Sequence, residues 1–371
     1  MRTILMVTRP ILPPWNEGSK NTAWQIAQRA KQHHFHLMTA RSVKQPPING
    51  SVIWRYVYTD RKFLASQKLR LVWHLVQNNP DIDIYHFLFV PTLTSSRLLS
   101  GIVHLRRKLS IQTVPNLHAK YISPKVAQVL LFADKIIVLS DWTANKLQSL
   151  GIKNIARINV GIDRDQFRPA QNPDAMREKF GLPTDVPLAL FSGELSRLGS
   201  VEILLSIIPD VLKENSAIHF VFASPLRLPE DLPAKKRAEQ GIHRLGLEAA
   251  VHFVDEVDEF SSLLKACDML LFPVTKMTAK IDTPLTVLEA MATGLPIIIT
   301  DLPPLNEVLK AEAGIASPLG DNKAFAQAIL ELAQDENLRR QMGCAGRKVI
   351  ESHFDLQMMV KAYEELYDEL S

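Results

Sequence analysis

The sequence alternates between short runs of β-branched and apolar residues and longer stretches with helical periodicity. The runs span residues 3–8, 35–39, 52–58, 84–89, 111–114, 135–140 and 155–160, and then 187–192, 218–223, 251–254, 269–273 and 296–300. Continuous apolar strands separated by helices are typical of parallel sheets covered on both faces. The first helix has the expected apolar face, because Ala23, Ile26, Ala27 and Ala30 recur at helical spacing. The alternation therefore predicts two doubly wound α/β domains.

A polar segment with two prolines, Phe167–Pro173, is typical of a linker. A chain of 371 residues also has the length of about two domains. We therefore expect a first domain at residues 1–168 and a second at residues 169–354. A final helix in residues 355–371 is long enough to pack back on the first domain.

Charge is divided unevenly between the predicted domains. Residues 1–170 carry 24 Lys and Arg against 8 Asp and Glu, whereas the remainder carries 19 against 31. A basic first half indicates an anionic partner, although drift in surface charge would give the same counts. No nucleic-acid recognition module accompanies the charge, so nucleic acid is not an expected partner.

Cysteine content and hydropathy bear on where the protein works. Cys267 and Cys344 are too few for a disulfide framework, and this usage fits a reducing compartment. No apolar run approaches the 18 residues of a membrane-spanning helix. Prolines interrupt the apolar start of the chain too early for a signal peptide. The sequence predicts a cytoplasmic protein.

The segment Lys280–Pro296 has the signals of a complete short helix. Asp282 or Thr283 is the expected N-cap, Pro284 suits the first turn, and Gly294 suits the C-terminal end. Ligands of parallel sheets bind beyond the carboxyl ends of the strands, where this helix would begin.

The face of this helix determines what it could bind. The amides of Leu285 and Thr286 would be available to a phosphate. Glu289 lies one turn further along and could accept hydrogen bonds from sugar hydroxyls. A capped surface helix with a solvated Glu289 is the alternative.

Two further loops follow predicted strands. Gly18 in residues 13–21 lets the backbone approach a ligand at a helix start, or else marks an ordinary turn. The loop 192–200 contains Gly193 and Arg197, which could serve a diphosphate.

The chain resembles the retaining GT-B fold glycosyltransferases of the family 4 group along nearly its whole length. The segments that carry the resemblance are 288–296, 133–140, 158–169, 266–273 and 314–367, in the family's order. The resemblance implies two Rossmann-like domains facing across a cleft, with the acceptor mainly on the first and a nucleoside diphosphate sugar mainly on the second. It also implies that no metal or other cofactor takes part, since basic side chains and helix dipoles stabilise the leaving diphosphate.

The resemblance implies roles for individual residues. Glu289 would contact the donor ribose, and the amides of Leu285 and Thr286 would contact the diphosphate. Gly18 would approach the donor phosphate and the acceptor. The expected donor-binding set is Gly18, Gly193, Arg197, Lys280, Pro284, Leu285, Thr286 and Glu289. The expected acceptor-side set is Glu17, Ser19 and His86.

Three departures from the family pattern involve charged or imidazole groups. The family's first donor-site Glu falls at Ile281, so the adjacent Asp282 is a candidate to replace it as a catalytic residue, with Glu289. The basic pair of the loop 192–200 reads Glu194 and Gly199, which leaves Arg197, or Lys280 outside the loop, for the diphosphate.

The third departure replaces the family's first-domain His with Pro115. His118 lies three residues later and is the expected catalytic substitute, and His86 is a second imidazole near a strand end. Either histidine could instead be structural.

The resemblance implies transfer of a sugar to a hydroxyl acceptor with retention. A glycolipid, a lipid-linked saccharide or a polysaccharide precursor is the expected acceptor. A catalytically silent GT-B scaffold or nucleotide-sugar-binding protein is the alternative, and an epimerase of this fold fits the donor-site helix less well.

Two segments of the basic half combine apolar and cationic residues. In residues 60–76, Leu69, Val72, Trp73 and Val76 share a helical face, and residues 97–110 contain a similar stripe before three cations. Such helices can lie on anionic lipid at the inner face of the membrane. The alternative is that both stripes face the core.

Overall fold

The computed structural model divides the chain into two compact units. It describes residues 1–12, 17–41, 51–59, 65–77, 81–116, 123–224, 229–254, 257, 259–277, 280–310 and 312–370. Unit 1 comprises Met1–Gly161, Ala279–Asp282 and Leu356–Ser371. Unit 2 comprises Ile162–Thr278 and Thr283–Asp355.

Unit 1 is built on a parallel sheet with strand order β3-β2-β1-β4-β5-β6-β7. Its strands are β1 (Thr3–Val7), β2 (His34–Ala40), β3 (Val52–Tyr58), β4 (Ile84–Leu88), β5 (Leu109–Val114), β6 (Lys135–Val138) and β7 (Ile155–Arg157). Its helices are α1 (Gly18–Arg29), α2 (Ala65–Val76), α3 (Leu93–Arg106), α4 (Pro124–Leu130), α5 (Asp141–Ser149) and α13 (Leu356–Glu369). The order changes direction between β1 and β4, as in doubly wound folds.

Unit 2 is built on a second parallel sheet, with order β10-β9-β8-β11-β12-β13. Its strands are β8 (Leu188–Ser192), β9 (His219–Ala223), β10 (Val251–Val254), β11 (Met269–Phe272), β12 (Ile297–Asp301) and β13 (Gly314–Pro318). Its helices are α6 (Pro173–Lys179), α7 (Ser200–Glu214), α8 (Asp231–Leu245), α9 (Phe260–Ala266), α10 (Leu285–Ala292), α11 (Asn322–Gln334) and α12 (Glu336–His353), with a 3₁₀ turn at Leu305–Val308.

The strand pattern of the sequence predicts the sheets well. Each of the twelve apolar runs overlaps an observed strand. The prediction misses β13, because its sequence Gly-Ile-Ala-Ser-Pro has only a short apolar stretch. The apolar face of α1 is also confirmed, since Ala23, Ile26, Ala27 and Ala30 are all buried.

The C-terminal helix α13 packs into unit 1, as expected. Its Met359, Tyr363 and Tyr367 join the same buried cluster as Trp24 and Ile26 of α1. The carboxylate of Glu364 on α13 also accepts hydrogen bonds from the amides of residues 31 and 32, at 2.6 and 2.8 Å. The last segment of the chain is therefore part of the first domain's core.

The boundary of the first unit lies earlier than residue 168, because the residues after Gly161 bond within unit 2. The guanidinium of Arg347 donates to the carbonyl oxygens of Phe167 and Ala292, each at 2.7 Å. Arg164 forms an ion pair with Asp355 in the same unit. Within the described part of the chain, no helix is long and apolar enough to cross a bilayer.

Candidate functional site

The helix α10 has a partly exposed face that consists of three residues. The others, Val287, Leu288, Ala290, Met291 and Ala292, are buried. Leu285, Thr286 and Glu289 are the partly exposed ones, and helical spacing places them on one face. The amides of a first turn have no acceptor within their own helix, so this end suits an anion.

A proline precedes α10 and a glycine follows it. Pro284, with φ −61° and ψ 126°, occupies the N-cap position, and its carbonyl accepts from the amides of Val287 and Leu288. The expected N-cap, Asp282 or Thr283, is therefore wrong, and Pro284 precedes the first turn. Gly294, with φ +79°, ends the helix as expected, and only glycine adopts that backbone conformation without strain.

Asp282 bonds within unit 1. The Oδ2 atom of Asp282 accepts hydrogen bonds from Ser140 Oγ at 2.6 Å and Thr143 Oγ1 at 2.5 Å, and its amide donates to the carbonyl of Pro115 at 2.8 Å. The side chain is 2% exposed. Ser140 is the N-cap of α5, where a negative charge is stabilised by the helix dipole.

This placement gives Asp282 a structural role. In this structure its Oδ2 atom is bonded to two hydroxyls, and Asp282 anchors the chain just before α10. That Asp282 replaces the family's Glu stays a prediction.

The neighbours of Asp282 also bond within unit 1. The carbonyl of Lys280 accepts a hydrogen bond from Asn116 Nδ2 at 2.7 Å. A Cβ atom added to Gly18 would lie 3.3 Å from Cδ1 of Ile281. Unit 1 therefore places Gly18 close to Ile281, which stands where the family has a Glu.

The other residues near Gly18 are at the surface. Gly18 begins α1, and Glu17 is its N-cap without a side-chain capping hydrogen bond. The Glu17 carboxylate lies 3.6 Å from the guanidinium of Arg9. Ser19 is partly exposed in the first turn. Contact of Glu17 and Ser19 with an acceptor stays a prediction.

The loop after β8 contains a cation with acidic partners. Arg197 lies 3.3 Å from Glu230 and 3.9 Å from Glu194. Gly199 has φ +75°, and a Cβ atom there would lie 2.8 Å from Thr275, so the family's basic residue does not fit this backbone. Gly193 is partly exposed, and a Cβ atom there would lie 3.2 Å from the ring of Phe191.

His86 lies in the core of unit 1. Its Nδ1 is 2.8 Å from the hydroxyl of Tyr367, its Nε2 is 2.8 Å from Thr113 Oγ1, and none of its surface is exposed. Burial lowers the pKa of His86 to about 3. These contacts favour the structural alternative for His86 over contact with an acceptor. His118 lies outside the described residues.

Sequence reasoning did not identify Asn116, Ser140 and Thr143 as residues that hold the chain before α10. Ser140 has a local signal, since it caps α5. Its partner Asp282 is 142 positions away along the chain, so no local pattern could join them.

Comparisons with known proteins agree with this architecture. Residues 172–349 match the family model described as "Glycosyl transferases group 1". D-inositol 3-phosphate glycosyltransferase of Streptomyces bingchenggensis is 26% identical over 226 residues, which are 58% of this chain and 49% of that protein. The chain thus spans about half the length of the curated relatives it matches.

Solved structures resemble the chain over its full length. The structure of HepE of Anabaena in complex with UDP and glucose superposes on this chain with a TM-score of 0.80 at 16% identity. The match covers 100% of both chains. Sucrose-phosphate synthase of Thermosynechococcus elongatus has a TM-score of 0.81 at 19% identity, and covers 100% of this chain and 99% of its own. Residues 172–349 are therefore similar to the group 1 glycosyl transferases, and the chain has the GT-B fold.

Proposed function

We propose that the chain transfers a glycosyl group from a nucleoside diphosphate sugar to a hydroxyl acceptor. The observation that carries the proposal is the face of α10, where Leu285, Thr286 and Glu289 are partly exposed while their neighbours are buried. The first-turn amides suit a diphosphate. The backbone of Glu289 lies about 6 Å further along the helix axis than that of Leu285, at 1.5 Å per residue, and its carboxylate suits the hydroxyls of a ribose.

The proposed reaction proceeds with retention and requires no metal. The departing phosphate assists deprotonation of the acceptor hydroxyl, so the protein needs no carboxylate nucleophile. The protein stabilises the leaving diphosphate through the α10 amides and through Arg197 and Lys280. Arg197 exchanges its contacts with Glu194 and Glu230 for the diphosphate in this scheme. His118 remains a proposed catalytic residue, and the backbone of Gly193 remains a proposed donor contact.

The proposed donor is a uridine diphosphate sugar, because structural neighbours include complexes of HepE with UDP and with UDP-glucose. The proposed acceptor is a glycolipid, a lipid-linked saccharide or a polysaccharide precursor. One of the relatives is a capsular polysaccharide biosynthesis glycosyltransferase, which supports this class.

The test measures UDP binding by thermal shift and turnover of UDP-glucose. Ligands that bind only the folded state raise its stability, so UDP is expected to raise the melting temperature. Glu289→Ala is expected to lower turnover at least tenfold, which corresponds to about 1.4 kcal/mol. The matched control is Glu331→Ala, an exposed glutamate of α11 in the same unit. Unchanged kinetics in Glu289→Ala would remove this residue from the site.

A catalytically silent nucleotide-sugar-binding protein is the second candidate. Three observations favour it: Ile281 in place of the family's Glu, the engagement of Asp282 by Ser140 and Thr143, and the ion pairs of Arg197. Binding of UDP and UDP-glucose without hydrolysis or transfer would support this candidate over the enzyme.

We also propose that the protein works in the cytoplasm, at the inner face of the membrane. The excess of basic residues in positions 1–170 supports an anionic surface as a partner. A lipid-linked acceptor would be reached from the same surface.

A further inference from the structure

Helix α2 has two apolar faces, and one of them is exposed. Leu71 and Leu75 are buried in the core of unit 1. Leu69 is 72% exposed and Trp73 is 67% exposed. The stripe is therefore divided: Val72 and Val76 are partly buried and pack against the core, whereas Leu69 and Trp73 are exposed.

The exposed face of α2 adjoins the edge strand β3 at Tyr56, which is 52% exposed. A cavity of about 630 Å³ lies in this region. Its lining residues are Tyr56, Val57, Leu69, Arg70, Val72, Trp73, His74 and Val76. This α2–β3 groove is shallow and lined mainly by apolar side chains, and large exposed apolar patches mark interaction surfaces.

The charged side chains around the α2–β3 groove are cationic. The described residues of segments 51–59 and 65–77 include Arg55, Lys68 and Arg70 but no Asp or Glu. Lys68 and Arg70 are exposed on either side of Leu69. Two copies joined through this face would bring these like charges together, which disfavours self-association. Anionic headgroups carry the opposite charge.

We propose that the α2–β3 groove docks on an anionic lipid bilayer. Leu69 and Trp73 enter the boundary between headgroups and acyl chains, and Lys68 and Arg70 bind the headgroup phosphates. Tryptophan is favoured at this depth because its ring is apolar and its N–H can remain hydrogen-bonded. The groove receives part of an acyl chain. This proposal deepens the membrane location proposed above and rests on it, but it does not depend on nucleotide-sugar binding or on glycosyl transfer.

The test is co-sedimentation of the full chain with phosphatidylcholine vesicles that contain about one-third phosphatidylglycerol, at low salt. We expect Leu69→Ser with Trp73→Ser to weaken binding at least tenfold. Lys68→Gln with Arg70→Gln is expected to weaken it about 30-fold, since each cation near the surface contributes about 1 kcal/mol. Vesicles of phosphatidylcholine alone should bind weakly.

The matched control is Leu232→Ser with Leu245→Ser on α8, which removes two leucines that are 49% and 46% exposed in unit 2. This control should bind vesicles like the wild-type protein. Equal binding by the Leu69 and Trp73 double variant would overturn the proposal. The proposal would also be overturned if the wild-type protein does not bind the vesicles but forms a dimer, and the Leu69 and Trp73 double variant does not dimerise.

The melting temperature and the UDP-induced thermal shift of each variant report whether it folds. They also separate this proposal from the proposed function. A protein that binds anionic vesicles through this face but neither binds nor turns over UDP-glucose supports the docking surface while the donor-site proposal fails.

Discussion

Lowering the pH from 7 to 5 is expected to destabilise unit 1 by about 2 kcal/mol through His86 alone. Burial lowers the pKa of His86 from 6.5 to about 3 in the folded protein. The unfolded chain therefore binds more protons than the folded chain between pH 6.5 and pH 3. Stability is present above pH 6.5 and is lost as the pH falls through that window. The full loss, reached near pH 3, is on the order of 5 kcal/mol, at about 1.36 kcal/mol for each pKa unit.

Tryptophan fluorescence during urea unfolding measures this effect in unit 1. The five tryptophans are Trp15, Trp24, Trp54, Trp73 and Trp142, and the chain has none after residue 142. The signal therefore reports the first unit even when the second unfolds separately. The unfolding free energy is compared at several values between pH 7 and pH 5.

The contribution of His86 is the difference in pH dependence between the wild type and His86→Gln. Glutamine retains polar atoms for Tyr367 and Thr113 but does not titrate. Burial also lowers the pKa of His36, to about 4, so part of the slope remains in the variant. The control His34→Gln changes an exposed histidine at the start of β2 and should keep the wild-type slope. A His86→Gln protein whose stability falls with pH as steeply as that of the wild type would refute the reasoning.

Further predictions concern packing, a buried ion pair and the thiols. Gly343→Ala should destabilise the protein by about 3 kcal/mol or more, because its Cβ would lie 1.9 Å from a carbonyl oxygen. Gly101→Ala in α3 places its Cβ in open space and should stabilise the protein by about 0.5–1 kcal/mol. Thermal unfolding of the two variants compares these effects. Arg177→Ala should lower the free energy of unfolding, measured by calorimetry, by about 3–5 kcal/mol. The reason is that this buried guanidinium donates to one carboxylate and three carbonyl groups. A loss below about 1 kcal/mol would contradict that account. A thiol reagent should modify exposed Cys344 but not buried Cys267 in the folded protein, because burial raises the pKa of Cys267; rapid labelling of both would contradict it.

Local patterns in the sequence determined most of the architecture. Apolar runs predicted the strands, because a strand buried on both faces must be apolar along its length. The helix signals predicted α10, although its N-cap is Pro284 and not Asp282 or Thr283. They placed its end at Gly294, because the left-handed conformation after a helix favours glycine whatever surrounds it. That Leu285, Thr286 and Glu289 share one face also follows from helical spacing.

Only the tertiary structure decided which polar groups remain available. Asp282 and Ile281 are adjacent in the sequence, yet Asp282 is bonded to hydroxyls 139 and 142 positions away. His86 meets Tyr367 across 281 positions. A side chain's partner depends on which distant elements pack beside it, and spacing along the chain carries no information on that.

The same reason explains the surface of α2. Helical spacing identified an apolar stripe at Leu69 and Trp73, but a second apolar face with Leu71 and Leu75 lies on the same helix. The sequence shows that α2 is apolar on more than one side. The packing of α2 on its sheet chooses the buried side, because only one face of a helix can meet the core.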